Sequence, residues 1–301
     1  MSKSDPIIYP PLGPPLARAG REPLRVLAVA GGKGGTGKTN LAVNLAVAVA
    51  DTGRRVLIID GDAALANVDM LLDVTPRHHL GDVLSGALPI EQVLVESPHG
   101  VTLLPASSGI LALERLGDDA KLALLAALES LGDAYDVVVI DTASGLSPNT
   151  LFFAGAAQEV ALVTTPEPTS LVDTYAGLKA LARRHGVTRA HLIVNQAGSG
   201  VDACEIHQRL AVLARRFLDV QVDLAGWLPF DAHVHRAVIR RTPVLRDAPK
   251  SDISRRIRAL AGYLLGQDAL DSGDRLRFFW RQLLDLPHDG ANVGRNADGD
   301  R

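Results

Sequence analysis

The sequence predicts one doubly wound α/β domain, a mainly parallel sheet flanked by helices, and three observations carry that expectation. Short β-branched runs alternate with longer amphipathic stretches along most of the chain. Glycine-rich, acidic or amide-bearing turns follow the carboxyl ends of those runs. The 301 residues, 47% hydrophobic and 22% charged, can bury a core of the size that α/β units of roughly 200–250 residues need. Strand, crossover helix and strand repeated this often give a parallel sheet covered on both faces, because parallel neighbours need long connections and helices supply them. Ligands in such sheets gather at the carboxyl ends of the strands.

Residues 1–24 hold Pro6, Pro10, Pro11, Pro14, Pro15 and Pro23, which cannot keep the hydrogen bonds of a helix or central strand, so a flexible leader is expected. The domain is expected over 25–265. Its strands are RVLAVA (25–30), RVLIID (55–60), VTLLPA (101–106), DVVVID (136–141), EVALVT (159–164), AHLIVN (190–195) and VDLAGWL (222–228). Helices are expected near 39–51, 110–131, 168–185, 203–217 and 252–265. A polar linker over 266–273 precedes an apolar, aromatic stretch over 274–286, and 287–301 reads as a disordered tail.

Net charge of −3 draws the whole molecule to no polyanion, so an anion site must be local. One cysteine excludes a disulfide framework and a cysteine-based metal site. No secretory signal is visible in the proline-rich Met1–Leu16, and Leu41–Ala50 is too short for the roughly 20 residues of a membrane crossing. The expected location is the cytoplasm. His233 with His235, His78 with His79, and Cys204 with His207 offer no four-ligand metal set.

GGKGGTGKTN, Gly31 to Asn40, follows the first strand directly and fits the phosphate-loop pattern through Gly32, Gly37, Lys38 and Thr39. Glycines let successive backbone N–H groups curl inward at phosphate oxygens, and the next helix adds its positive end. Lys38 would neutralise charge on the β/γ-phosphates and Thr39 would hold Mg²⁺. Gly32, Gly34 and Gly37 also fit the dinucleotide pattern Gly-x-Gly-x-x-Gly, with Asp60 near the ribose position. A dinucleotide oxidoreductase, however, has no use for adjacent Lys38 and Thr39. Asp60 and Asp62 close the second strand and Asp141 the fourth, the carboxylates that metal-assisted phosphoryl transfer needs around hydrated Mg²⁺ and the attacking water. Gly145, four residues past Asp141, would let the backbone approach a γ-phosphate.

The loop carries a second lysine, Lys33, in a chain with only six. The resulting K-G-G-x-G-K-[ST] resembles the MinD/ParA family of deviant Walker A ATPases. That resemblance implies ATP and Mg²⁺ as ligands, cradled by Gly32, Lys33, Gly34, Gly35, Thr36, Gly37, Lys38, Thr39 and Asn40. It implies an ATP-bound homodimer in which Lys33 reaches the partner's phosphates, the part an arginine finger plays elsewhere. It assigns Lys33, Lys38 and Asp62 to catalysis, Asp62 orienting the water, and Thr39, Asp60 and Asp141 to the metal. Asn195 would pair with the N6/N7 edge of adenine, and Pro229, Phe230 and Asp231 would form the adenine-side loop. The segments DGDAALANVDMLLDVTP, LGDVLSG, LLPASSG and PEPTSLVDTYAGLK are similar to the FlhG/FleN branch, regulators of flagellar number and placement, over roughly residues 25–265. Two departures stand out. Ala64 replaces a usual glycine, and the leader lacks the D-Q-A-x-x-L-R motif that stimulates the GTPase FlhF. The implied protein partner is an FlhF-like GTPase, a flagellar basal-body component or a transcription regulator.

In RLRFFWRQLLDL, residues Leu276, Phe279, Trp280, Leu283 and Leu284 fall at helical spacing, with Arg275 and Arg281 away from them. Such a helix can lie in a bilayer interface, and two copies in a dimer would add avidity. ATP-dependent, peripheral and polar attachment to an anionic membrane is therefore expected. A competing reading takes Arg236, Arg240, Arg241, Arg246, Lys250, Arg255, Arg256 and Arg258 as a DNA-binding surface of a ParA-type positioning ATPase.

Overall fold

The computed structural model describes residues 24–62, 67–105, 131 and 134–266. Ala64, most of the expected helix at 110–131, the leader before Leu24 and everything after Gly266 lie outside the described residues. The chain forms β1 (Arg25–Ala30), α1 (Lys38–Ala50), β2 (Val56–Gly61), α2 (Val68–Leu71), α3 (Leu80–Leu84), a 3₁₀ turn (Ile90–Gln92), β3 (Val95–Glu96) and β4 (Val101–Pro105). It continues through β5 (Val137–Thr142), α4 (Pro148–Ala156), β6 (Glu159–Thr164), α5 (Pro168–His185), β7 (Arg189–Val194) and α6 (Gly200–Leu218). The described residues end with β8 (Gln221–Trp227), α7 (Ala232–Ile239), α8 (Val244–Asp247) and α9 (Asp252–Gly266).

The eight strands line up as β3-β4-β2-β5-β1-β6-β7-β8. All pairings are parallel except that of β3 with β4. The central strands are valine-, leucine- and isoleucine-rich and buried along their whole length, since both faces are covered. One apolar layer gathers Leu178, Leu181, Ile206 and Leu210 of α5 and α6. The opposite layer packs α1 and α9 through Leu41, Leu45, Ile257 and Leu260.

The seven expected strands and the helices expected near 39–51, 168–185, 203–217 and 252–265 lie within a residue or three of those positions, whereas β3, the 3₁₀ turn and helices α2, α3, α4, α7 and α8 are not anticipated. Strand β3 has only two residues, too short for an alternating pattern. Helix α4 begins where the Ser147 hydroxyl accepts the Thr150 N–H at 3.1 Å and Pro148 supplies the first-turn φ, an N-cap and N1 pairing that the sequence does display. Helix α1 shows little amphipathicity because it is buried on nearly every side between the sheet and α9. Its polar Asn44 is satisfied internally, Nδ2 donating to the Asn40 carbonyl at 2.7 Å and Oδ1 accepting the Leu245 N–H at 3.2 Å.

Candidate nucleotide site

β1 ends at Ala30 at the carboxyl edge of the sheet, and the chain turns through Gly31–Gly37 into α1. The turn is held from three sides. A Cβ on Gly32 would lie 2.2 Å from the Asp173 carbonyl carbon and oxygen, so α5 packs directly on the loop backbone. Gly37 has φ 88°, and a Cβ there would sit 2.5 Å from Asn195 Nδ2. Gly145 donates its N–H to the Gly31 carbonyl at 3.4 Å, hooking the segment after β5 onto the loop.

Lys38, the first residue of α1, is buried, and its Nζ donates to the Lys33 carbonyl at 3.0 Å. Burial holds its pKa below the usual lysine value, against the opposing pull of Asp141 and Asp62. Asp60 and Asp141 occupy paired positions on adjacent β2 and β5. Asp60 accepts the N–H of Asp62 at 3.2 Å and of Val68 at 3.4 Å. Burial still pushes its carboxyl up to about 6. Asp141 is more deeply buried and pushed up to about 7, although the Thr39 side chain hydrogen-bonds to it. Its Oδ1 is buried with no hydrogen-bond partner. A buried carboxylate oxygen without a donor, beside a second carboxylate and a hydroxyl, suits a hard divalent cation. Among the described residues no group of three or more His, Cys, Asp or Glu forms a closed cage. Mg²⁺ needs none, since it binds through one or two carboxylates plus substrate oxygens and water.

Lys33 does not turn into the cradle formed by its own loop. Its Nζ pairs with the Glu167 carboxylate and contacts the Thr169 hydroxyl at 3.2 Å, both at the start of α5. The side chain remains about one-third exposed. Glu167 and Thr169 were not singled out from the sequence, where they lie more than 130 residues from Lys33 with no pattern to link them.

Asn195, just past β7, donates from Nδ2 to the Thr36 carbonyl at 2.8 Å, and its Oδ1 accepts the Gln196 N–H at 3.0 Å. The Pro229–Asp231 turn comes beside it, because Leu228 bonds to the Val194 carbonyl at 2.9 Å and Ala197 bonds back to Leu228 at 3.0 Å. Phe230 is 77% exposed. Asp231 is committed to capping α7, accepting the His233 N–H at 2.8 Å and contacting its ring Nδ1 at 2.6 Å.

The basic stretch suggested as a DNA surface is largely paired within the chain. Arg236 and Arg240 both reach Asp247, at 3.3 and 2.7 Å. Arg246 holds Asp51 at 2.7 Å, and Arg255 and Arg256 hold Asp252 at 3.0 and 2.7 Å. Arg256 also stacks 3.9 Å over the Trp227 ring, and Arg258 donates to the Pro249 carbonyl at 2.7 Å. The membrane candidates Leu276, Phe279, Trp280, Leu283 and Leu284 lie outside the described residues. Among the described residues, no helix is long and apolar enough to cross a membrane.

A glycine cradle opening onto paired buried acids at the carboxyl edge of a parallel sheet is how P-loop nucleotide hydrolases are built, and the chain falls in that class. Comparison with known proteins narrows it. A family model described as AAA domain matches residues 24–191, more than half of the chain. The antiactivator FleN of Pseudomonas aeruginosa is 41% identical over 273 residues, covering 90% of this chain and 97% of FleN. The flagellum site-determining protein YlxH of Helicobacter pylori is 27% identical over 267 residues, 86% of this chain and 90% of YlxH. Among solved structures, the septum site-determining protein MinD of Pyrococcus horikoshii, complexed with Mg-ADP, aligns with a TM-score of 0.63 at 26% identity. The alignment spans 79% of this chain and 94% of that one. The chain belongs to the MinD/ParA family of deviant Walker A ATPases, in its FlhG/FleN-like branch. It is therefore an ATPase, taking ATP and water to ADP and phosphate.

Proposed function

We propose that this chain is a Mg-ATP-dependent switch that pairs face to face with a second copy, hydrolyses ATP and regulates the number or placement of flagella. The observation that carries the reading is Lys33, a cation at the rim of the phosphate loop that points away from its own cradle onto α5. A second copy meeting this rim would receive Lys33 at its phosphates. The same edge exposes Leu146, Val172, Val201 and Phe230, apolar residues in strand-end turns and first helical turns that a partner copy would cover.

Within each copy, backbone N–H groups from Gly32 to Thr39 bind the phosphates and Lys38 neutralises them. Thr39, Asp60 and Asp141 are the residues that would hold Mg²⁺, whose charge stabilises the leaving phosphate oxygens. Asp62, anchored through its N–H to Asp60, would orient the attacking water. Asn195 retains one N–H and one oxygen lone pair for the adenine edge, beside Pro229, Phe230 and Asp231.

The flagellar role rests on the likeness to FleN and YlxH. An FlhF-like GTPase, a basal-body component or a transcription regulator would be the partner, and the 274–286 segment would bring the dimer to an anionic membrane. Pairing of the α7–α9 arginines with aspartates argues against the DNA-binding alternative. Light scattering with ATP, ADP and the Lys33→Ala variant tests the switch. Wild type should dimerise with ATP alone and Lys33→Ala should stay monomeric. ATP leaving wild type monomeric would overturn the shared-site mechanism.

A further inference from the structure

A phosphate loop works only if its peptide N–H groups face the ligand, and the peptide joining Thr36 to Gly37 has two possible orientations. In a trans peptide the carbonyl oxygen and the following N–H point in opposite directions. Whatever fixes the Thr36 oxygen on one side therefore fixes the Gly37 N–H on the other. Asn195 Nδ2 donates to that oxygen at 2.8 Å. The approach is so close that any Cβ on Gly37 would meet the same nitrogen at 2.5 Å, and Gly37 holds φ 88° to allow it.

Asn195 is itself well anchored. Its N–H donates to the Thr164 carbonyl at 2.8 Å, extending the β6–β7 pairing past the end of β7. Its Oδ1 accepts the Gln196 N–H at 3.0 Å, which sets the amide plane and directs Nδ2 toward the loop. Ala197 bonds to the Leu228 carbonyl at 3.0 Å and steadies the turn from the β8 side. The brace thus runs from the rigid sheet to one carbonyl of the loop, across 159 residues of sequence.

We propose that Asn195 is a positioning residue for the phosphate loop: by holding the Thr36 carbonyl outward it presets the Gly37 N–H toward the phosphates, whatever base the ligand carries. This rests on the nucleotide-site reading above and adds a role separate from adenine recognition. A residue that only reads the base has no effect on a ligand without one. A brace affects every phosphate ligand by the same factor.

The test uses Asn195→Asp and Asn195→Ala in the full chain, with inorganic tripolyphosphate, ADP and GDP, each with Mg²⁺, as calorimetric probes. Asn195→Asp keeps the shape, but its carboxylate cannot donate and repels the Thr36 oxygen. Thermal melts and circular dichroism of both variants establish that they are folded. Wild type should bind tripolyphosphate, and Asn195→Asp should weaken tripolyphosphate and GDP by about tenfold or more, as expected when one aligned hydrogen bond becomes a repulsion, and ADP by at least as much because its adenine contact is lost too. Asn195→Ala should weaken tripolyphosphate and GDP by a smaller common factor, and ADP by that factor together with the loss of its adenine contact. Unchanged tripolyphosphate binding in folded Asn195→Asp would overturn the brace, as would wild type binding ADP but not tripolyphosphate. Wild type binding none of the three would instead overturn the nucleotide site beneath it.

Discussion

Asp60 and Asp141 stand opposite each other on neighbouring parallel strands, both buried, and both titrate well above the usual carboxylate range. Two such groups side by side oppose the folded state whenever both are charged. The arrangement makes physical sense as a site that a cation completes.

The first prediction follows from the sign of those shifts. A carboxyl whose pKa rises on folding takes up a proton as the chain folds, so stability falls as pH rises from about 4 toward the folded values of about 6 and about 7. Asp141→Asn should therefore stabilise the nucleotide-free protein at pH 8 by about 1–3 kcal/mol and flatten this slope. Urea melts in EDTA from pH 5 to 8 would check it. With Mg-ADP present the advantage should reverse, because the variant loses a metal-holding oxygen.

His191 should produce the opposite slope. It is 3% exposed on β7, with its Nε2 3.8 Å from Glu159 and its ring edge-on to Tyr263. Burial lowers its pKa, aided by Arg189 and Arg25 and opposed by Glu159 and Asp223. The fold disfavours the proton, so stability should fall as pH drops below about 6.5. His191→Gln should lessen that acid loss, read from melts of the Mg-ADP-loaded protein between pH 5 and 7.

Gly32→Ala tests the packing of α5 on the loop. With the Asp173 carbonyl 2.2 Å from the new methyl, one of the two segments must move. A loss of about 1–3 kcal/mol is expected, together with loss of ADP binding measured by calorimetry.

Asp62→Ala should separate binding from chemistry. ATP affinity should change little while phosphate release falls about 10²–10⁴-fold, the range for removing a positioned acid–base group. A comparable fall in ATP affinity would place Asp62 in the binding site rather than beside the water.

Another prediction concerns the segment after Gly266. A chain stopped after Ser272 lacks Leu276, Phe279, Trp280, Leu283 and Leu284. It should lose ATP-dependent co-sedimentation with anionic liposomes while keeping its ATPase activity. Equal sedimentation of both chains would exclude that segment as the anchor.

Much of this architecture is legible in the sequence, because buried parallel strands write themselves as β-branched runs and the phosphate loop is a contiguous motif. The acids at 60, 62 and 141 were legible for the same reason, since each ends such a run. Contacts between distant segments were not. Nothing local to Lys33 points to Glu167, and nothing in LIVNQ indicates that Asn195 holds the Thr36 carbonyl. The arginines from α7 to α9 read as a positive surface because their count is visible and their pairing with Asp51 and Asp247 is not. Helix α4 was different. Its Ser147–Pro148 start was in plain sight, but nine residues between two strong strands leave little room for periodicity to speak.

Arg25, the first residue of β1, reaches the end of α9. Its buried guanidinium pairs with Glu159 and donates to the Leu264 carbonyl at 2.8 Å and to that of Leu265. The first described strand and the last described helix are thereby tied together, so the two ends of the described residues meet at one place. During synthesis the opening strand cannot complete its contacts until the closing helix has emerged from the ribosome. A permuted gene that joins these ends and opens the chain elsewhere should still yield a folded ATPase.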